Sequence, residues 1–286
     1  MGDDLRGRSF LITGGNSGIG LATVEVLAER GATITVASRS IEKTEALLAE
    51  LRPRFPVAEL HFLALDLGNL ANVKKAAQEF LATGRPLDVL INNAGIAGAR
   101  GKSIDGYEIT LATNHLGPHL FTSLLLPKLK ESKQARIVNV ASRAHRRVKA
   151  LELSWFTRET GSTRDRLEMY GVSKLMNVIH ARELSRQLGG TNVSTYALHP
   201  GVVASNVWRE LPGLLQAIGK LFMLSVEEGA RTTLMCATSP ELATVTGRYY
   251  DQEHEARTHR LVDDEAVAKE LFARSDSLIA QALAKA

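Results

Sequence analysis

The chain has 286 residues, an ordinary globular composition (44% hydrophobic, 23% charged) and a formal net charge of +4. That length can bury a large core without disulfides or metals. The single cysteine, Cys236, excludes an intrachain disulfide and points to a reducing compartment. The charged start fits no signal peptide, and no window holds the ~20 uninterrupted apolar residues of a membrane span. Nothing resembles a nucleic-acid module, so a soluble, cytoplasmic protein is expected.

Short β-branched runs alternate with longer amphipathic segments. In chain order the reading is strand 9–13, helix 18–30, strand 33–38, helix 41–51, strand 59–65, helix 70–82 and strand 87–91. A helix over 106–130, strand 136–141, helix 170–188 and strand 193–198 follow, then a strand at 248–250 and a helix at 264–283. Strand–helix alternation with apolar strands predicts an α/β fold, a Rossmann-type doubly wound parallel sheet with helices on both faces. No repeat and no Pro/Gly/Ser-rich hinge divides the chain, so residues 1–286 read as a single domain. Ligands of such sheets bind outside the carboxyl ends of the strands, where every motif below falls. Cys236, in an apolar stretch, reads as an inert core residue. The dense basic run Arg143, His145, Arg146, Arg147, Lys149 reads as a solvated loop or as an attractor of an anionic cofactor or membrane surface.

The first strand runs into Thr13-Gly14-Gly15-Asn16-Ser17-Gly18-Ile19-Gly20, and a helix follows. Gly14 permits the tight turn, Gly18 lets the backbone approach a pyrophosphate, and Gly20 allows close helix–strand packing. The helix N-terminus then offers free N–H groups and a positive dipole to phosphates. A lone Gly-rich string is weak evidence, but between a strand and a helix it predicts a dinucleotide site. The second strand ends in Ser38 and Arg39 with no acid at its tip. An acid there would take the ribose 2′-hydroxyl of NAD, whereas arginine accommodates a 2′-phosphate. Ser38 can add a hydrogen bond and Arg39 a planar fork, so NADP(H) is the expected cofactor.

Tyr170 and Lys174 are four residues apart and share a helix face. A phenol with an ordinary pKa of ~10 transfers protons poorly at neutral pH. A neighbouring ammonium and a nicotinamide cation both favour the phenolate. The histidines show no metal-ligand spacing, and Ser142 lies in no Gly-x-Ser-x-Gly elbow, which sets a hydrolase aside.

Taken together, the motifs resemble the short-chain dehydrogenase/reductase family. The glycine loop, Asp66-Leu67, Asn92-Asn93-Ala94-Gly95, Asn114, Ser142, the Tyr170/Lys174 pair and Pro200-Gly201-Val202-Val203 occur in that family's order. The resemblance implies Asp66 and Leu67 at the adenine and Asn92, Ala94 and Gly95 along its ribose. It puts Pro200–Val203 at the nicotinamide carboxamide. It also implies Lys174 on the nicotinamide ribose, Ser142 donating to the substrate oxygen, Asn114 holding a relay water and Tyr170 as general acid/base. The cofactor-contacting set is then Gly14, Asn16, Ser17, Gly18, Ile19, Gly20, Ser38, Arg39, Asp66, Leu67, Asn92, Ala94, Gly95, Tyr170, Lys174, Pro200, Gly201, Val202 and Val203.

Ser142 and Tyr170 are separated by an insertion near 149–168 that carries Trp155 and Phe156. That insertion resembles the retinol dehydrogenase-like branch and its carbonyl reductase relatives. Many animal retinol dehydrogenases carry an apolar N-terminal anchor, and the charged residues 1–8 are not expected to form one. The segment near 203–225 is rich in Leu, Ile, Val, Trp, Phe and Met. It reads as a lid over a lipophilic alcohol, aldehyde or ketone, as a helix packed on the core, or as a surface-binding helix. The leading expectation is an NADP(H)-dependent alcohol/carbonyl oxidoreductase. Reduction of an activated C=C bond and a non-enzymatic nucleotide-sensing role stay open, because fold alone does not fix function. The resemblance also allows a homodimer through the catalytic helix and its neighbour, unless the insertion blocks it.

Overall fold

The computed structural model describes residues 4–201 and 225–285. Its first half alternates β1 (Ser9–Thr13), α1 (Gly18–Glu29), β2 (Thr33–Ser38), α2 (Ile41–Arg54), β3 (Glu59–Ala64), α3 (Leu70–Ala82) and β4 (Val89–Asn92). A short α4 (Ile109–Leu111) and a π-helical turn (Ala112–Leu116) lead into α5 (Gly117–Lys130). Then come β5 (Ala135–Val140), α6 (Thr163–Gln187), β6 (Val193–His199), α7 (Val226–Thr238), β7 (Arg248–Asp251), β8 (His254–Glu255) and α8 (Glu265–Leu283).

The strands form one sheet in the order β3-β2-β1-β4-β5-β6-β7-β8, parallel throughout except for the β7–β8 hairpin. Successive strand residues point to opposite faces, and each face buries its own core. Leu11, Leu90 and Ile137 pack under α3, α5 and α6, while Phe10, Ile12, Ile34 and Val36 pack under α1 and α2. The chain runs outward from β1 to β3 and then crosses back to β4. The carboxyl ends of β1 and β4 therefore flank the switch point where such sheets bind ligands.

Two features differ most from the sequence reading. The helix read over 106–130 is interrupted: Gly117 N–H reaches back five residues to the Ala112 carbonyl. Pro118 has no N–H to donate to the Asn114 carbonyl, so a regular α-turn cannot close there. A Cβ on Gly117 would collide with the Leu67 carbonyl oxygen, so only glycine lets α5 start so close to the loop after β3.

The insertion near 149–168 is shorter than expected, because its end is already the first turn of α6. Ser162 and Asp165 form a reciprocal capping box that starts the helix seven residues before Tyr170. Arg166 anchors that turn, its guanidinium donating to the Gly98 carbonyl at 2.7 Å. The rest of the insertion forms a 3₁₀ turn, Leu153–Thr157, pinned by buried Phe156, whose carbonyl accepts from Glu108 N–H at 2.7 Å. The insertion thus packs beside the loop after β4. It is α8 that lies across α3, α5 and α6, with Tyr107 Oη donating to the Leu278 carbonyl and His119 within 2.8 Å of Asp276. Cys236 is fully buried and its thiol is pushed up by that burial, in keeping with an inert core residue.

Candidate active site

At the switch point the glycine loop turns with Gly14 at φ 69° and Gly18 at φ 54°, backbone that L side chains rarely adopt. A Cβ on Gly20 would run into the Gly14 carbonyl oxygen and the Asn93 amide, so α1 starts in direct contact with the loop. Ser17 stands at the N-cap of α1 without a capping side-chain bond, and no carboxylate occupies the first turn. The positive end of the helix is therefore left for an anion. Thr13 Oγ1 accepts from Asn93 N and Ala94 N, both at 3.0 Å, which ties the loop to the end of β4.

A cleft of about 1520 Å³ runs from this loop over the carboxyl ends of the strands. It exceeds the ~300–1,000 Å³ of a single small-ligand site, so a dinucleotide and a second molecule fit together. Among the sequence-predicted cofactor residues, Gly14, Asn16, Ser17, Gly18, Ile19, Gly20, Ser38, Arg39, Asp66, Leu67, Ala94, Gly95, Tyr170, Lys174, Pro200 and Gly201 line it, as does Ser142. Val202, Val203 and nearly all of the lid segment lie outside the described residues.

Asn92 does not line the cleft. It is the last residue of β4, so it points the same way as Leu90, into the layer beneath α5. There its amide donates to Thr122 Oγ1 at 3.0 Å and Asn139 Oδ1 at 2.9 Å. Asn93, one residue on, faces the cleft instead. The sequence reading did not include Lys43 and His199 among the site residues, and both line the cleft wall, as do Arg147 and Lys149 of the basic run. Lys43 lies one helical turn beyond Arg39, a spacing that was available as a signal.

At the cofactor's far end, Ser38 Oγ lies 2.6 Å from Thr44 Oγ1, which also accepts from Asn16 Nδ2 at 2.9 Å. These bonds lock the glycine loop, the tip of β2 and α2 into one cradle and leave Arg39 and Lys43 to meet an anion. Asp66 Oδ1 accepts from Gly68 N–H at 3.0 Å and shapes the loop after β3, while Asn69 caps α3.

At the other end, Tyr170, Lys174 and Ser142 come together. Ser142 hydrogen-bonds the Tyr170 hydroxyl, which opposes the burial that pushes this phenol up to about 12. Lys174 Nζ donates to the Val140 carbonyl at 2.8 Å and lies 5.6 Å from the Tyr170 ring centroid. Burial brings its ammonium down to about 8. At Tyr170 burial thus outweighs the Ser142 hydrogen bond and favours the protonated phenol. Asn114 is fully buried behind them. Its Oδ1 accepts from Ile96 N–H and its Nδ2 donates to the Ile96 carbonyl and Ser173 Oγ, all within 3.0 Å. The Asn114 side chain is therefore spent on fixing the loop after β4 against α6. A Cβ on Gly95 would sit 3.3 Å from both Asn114 Oδ1 and Lys174 Nζ, so glycine leaves the gap between loop and lysine open.

The basic run after Ser142 is neither wholly solvated nor wholly aimed at the cleft. Arg143 holds Asp251 through two hydrogen bonds of 2.7 and 2.9 Å, and Arg146 reaches the same carboxylate at 3.3 Å. His145 is buried, brought down to about 4 by that burial, and its Nδ1–H donates to the Ser142 carbonyl at 2.6 Å. These contacts fix the backbone that presents Ser142. Arg147 and Lys149 turn to the cleft. Among the described residues, no group of three or more His, Cys, Asp or Glu is arranged to hold a metal ion. No helix among them is long and apolar enough to cross a membrane.

The chain is similar to known proteins in sequence and in fold. The short chain dehydrogenase family profile matches residues 8–153. Dehydrogenase/reductase SDR family member 13 of Bos taurus is 40% identical over 279 residues, 96% of this chain and 74% of that protein. Retinol dehydrogenase 12 of Homo sapiens is 40% identical over 249 residues, 86% of this chain and 78% of that protein. The crystal structure of an uncharacterised Mycobacterium paratuberculosis protein superposes with a TM-score of 0.77 at 30% identity, covering 97% of this chain and 95% of that one. Solved structures that share the fold hold NADP or NADH. The glycine cradle, the large cleft along the switch point and these relatives agree: the chain belongs to the short-chain dehydrogenase family, in its retinol dehydrogenase-like branch.

Proposed function

We propose that the protein is an NADP(H)-dependent reductase or dehydrogenase that interconverts a lipophilic alcohol and its aldehyde or ketone, with Tyr170 as general acid/base. The observation that carries this reading is the Ser142–Tyr170–Lys174 constellation at one end of a cleft whose other end is a phosphate cradle. The retinol dehydrogenase relatives support the alcohol/carbonyl chemistry.

The cradle fits the cofactor on its own geometry. A side chain at Gly95 would narrow the gap beside Lys174, and one at Gly20 would push the glycine loop away from α1. Arg39, just after β2, and Lys43, in the first turn of α2, put two cations on the cleft wall, which favours a 2′-phosphate. The bound nicotinamide supplies or accepts the hydride. Ser142 donates to the substrate oxygen while Tyr170 delivers its proton as charge develops there, so the alkoxide never stands free. A phenol pushed up to about 12 by burial starts protonated, the form that reduction requires. Oxidation needs the phenolate, which the nicotinamide cation and the Lys174 ammonium favour together.

Arg39→Ala tests the cofactor assignment. Loss of a charge-assisted contact worth about 1.5–3 kcal/mol should raise the KM for NADPH about 10- to 100-fold and leave that for NADH nearly unchanged. Equal effects on both cofactors would contradict it. The reaction itself is read by following NADPH consumption with aldehydes, ketones and enones, long and short.

A further inference from the structure

One wall of the cleft at its reacting end is more basic than a neutral lipophilic substrate requires. The helix that carries Tyr170 presents Arg164, Leu167, Glu168, Gly171 and Lys174 to the cleft, spaced by three or four residues on one face. At about 1.5 Å rise per residue, Arg164 stands about 9 Å along the axis from Tyr170. The facing rim is Arg147, Val148 and Lys149, and Val148 Cγ2 lies 3.5 Å from where a Cβ on Gly171 would be.

The charges nearby are accounted for in pairs. Asp251 is held by Arg143 and Arg146. Glu168, the one acid on the wall, lies 3.5 Å from Arg158, which also meets Asp165. Among the described residues, Arg147, Lys149 and Arg164 have no ion-pair partner. All three are exposed and border Val148 and the exposed side chain of Leu167. The cations that suit the cofactor's phosphates, Arg39 and Lys43, are at the opposite end of the cleft, just after β2 and on α2.

We infer that Arg147, Lys149 and Arg164 form an anion subsite for the substrate. Resting on the carbonyl/alcohol reading above, the substrate class narrows to amphiphiles: a carbonyl or carbinol at Tyr170, an apolar body along Val148 and Leu167, and an anionic end group at the cations. Three exposed charges at a cleft mouth act additively and are screened by salt. The preference they create is therefore modest and dependent on ionic strength.

The test compares wild type with the Arg147→Gln/Lys149→Gln/Arg164→Gln variant, both loaded with NADPH. Calorimetry measures octanoate against octanamide, and kinetics measure octanal against its ω-carboxylate counterpart. The expected result is a preference of about tenfold for the anionic member of each pair at low salt. It should shrink at high salt and fall to near unity in the variant. No preference in the wild type would overturn the subsite. So would a variant that keeps the preference but has a raised KM for NADPH, which would assign the wall to the cofactor. A variant that keeps the preference but loses binding to vesicles of anionic lipid would overturn it in favour of surface docking. The calorimetric arm needs no turnover. Failure to reduce any carbonyl would therefore sink the proposed reaction while leaving the subsite readable.

Discussion

Tyr170→Phe lowers turnover by about 10²- to 10⁴-fold, the usual contribution of a positioned general acid, and leaves NADPH affinity within a few-fold of wild type. The substitution removes one oxygen and keeps the ring. That ring is almost wholly buried between α6 and the segment after β5, so the fold loses little apolar contact. What is lost is the phenolic proton positioned beside Ser142. Burial already pushes the phenol up to about 12, so in the wild type the proton is present at neutral pH and ready for a developing alkoxide. Steady-state kinetics with fluorescence titration of NADPH separates the two effects. Retained turnover would remove Tyr170 from the chemistry, and equal loss of turnover and cofactor binding would make its role structural.

The second large effect is at the other end of the cleft. Gly20→Ala places a methyl group on the Gly14 carbonyl oxygen and within 2.6 Å of the Asn93 amide. Both neighbours are held: Asn93 Nδ2 donates to the Thr13 carbonyl at 2.8 Å, and Gly14 N–H donates to the Ala37 carbonyl at 2.8 Å. Neither can give way without opening the loop, so the strain is comparable to core overpacking, about 1–3 kcal/mol. The displaced loop no longer presents its N–H groups to a pyrophosphate. Dinucleotide affinity should fall at least tenfold with a lowered Tm, measured by titration and thermal unfolding. Unchanged affinity would mean that the phosphates sit elsewhere.

These two ends of the site were legible in the sequence for a physical reason. The glycines and the Tyr170/Lys174 pair are constrained locally, by backbone conformation and by helical spacing, and local constraints leave local patterns. Features set by tertiary packing were not legible. Asn92 and Asn93 are adjacent amides, and only the side-chain direction imposed by the end of β4 sends one to the core and the other to the cleft. The start of α6 was obscured because the exposed turn from Thr163 lacks an apolar stripe and the first strong landmarks were Tyr170 and Gly171. The β7–β8 hairpin turns through Gln252 and Glu253 at φ 50° and 67°, without the Gly or Asn that normally signals such a turn. Nor does the sequence say which arginines of the run after Ser142 are occupied. Asp251, more than a hundred residues away, claims Arg143 and Arg146 and leaves Arg147 to the cleft.

With Tyr170 as general acid/base, hydride is delivered to a carbonyl carbon beside it. The most direct measurement uses NADPH deuterated at the transferring position, incubated with the protein and a mixture of long-chain aldehyde and enone, followed by mass spectrometry of the products. One deuterium is expected on the carbinol carbon of the alcohol, and that product is lost in Tyr170→Phe. Deuterium on the carbon β to a carbonyl would make the protein a C=C reductase. Absence of label from both products would contradict an enzymatic role at this site.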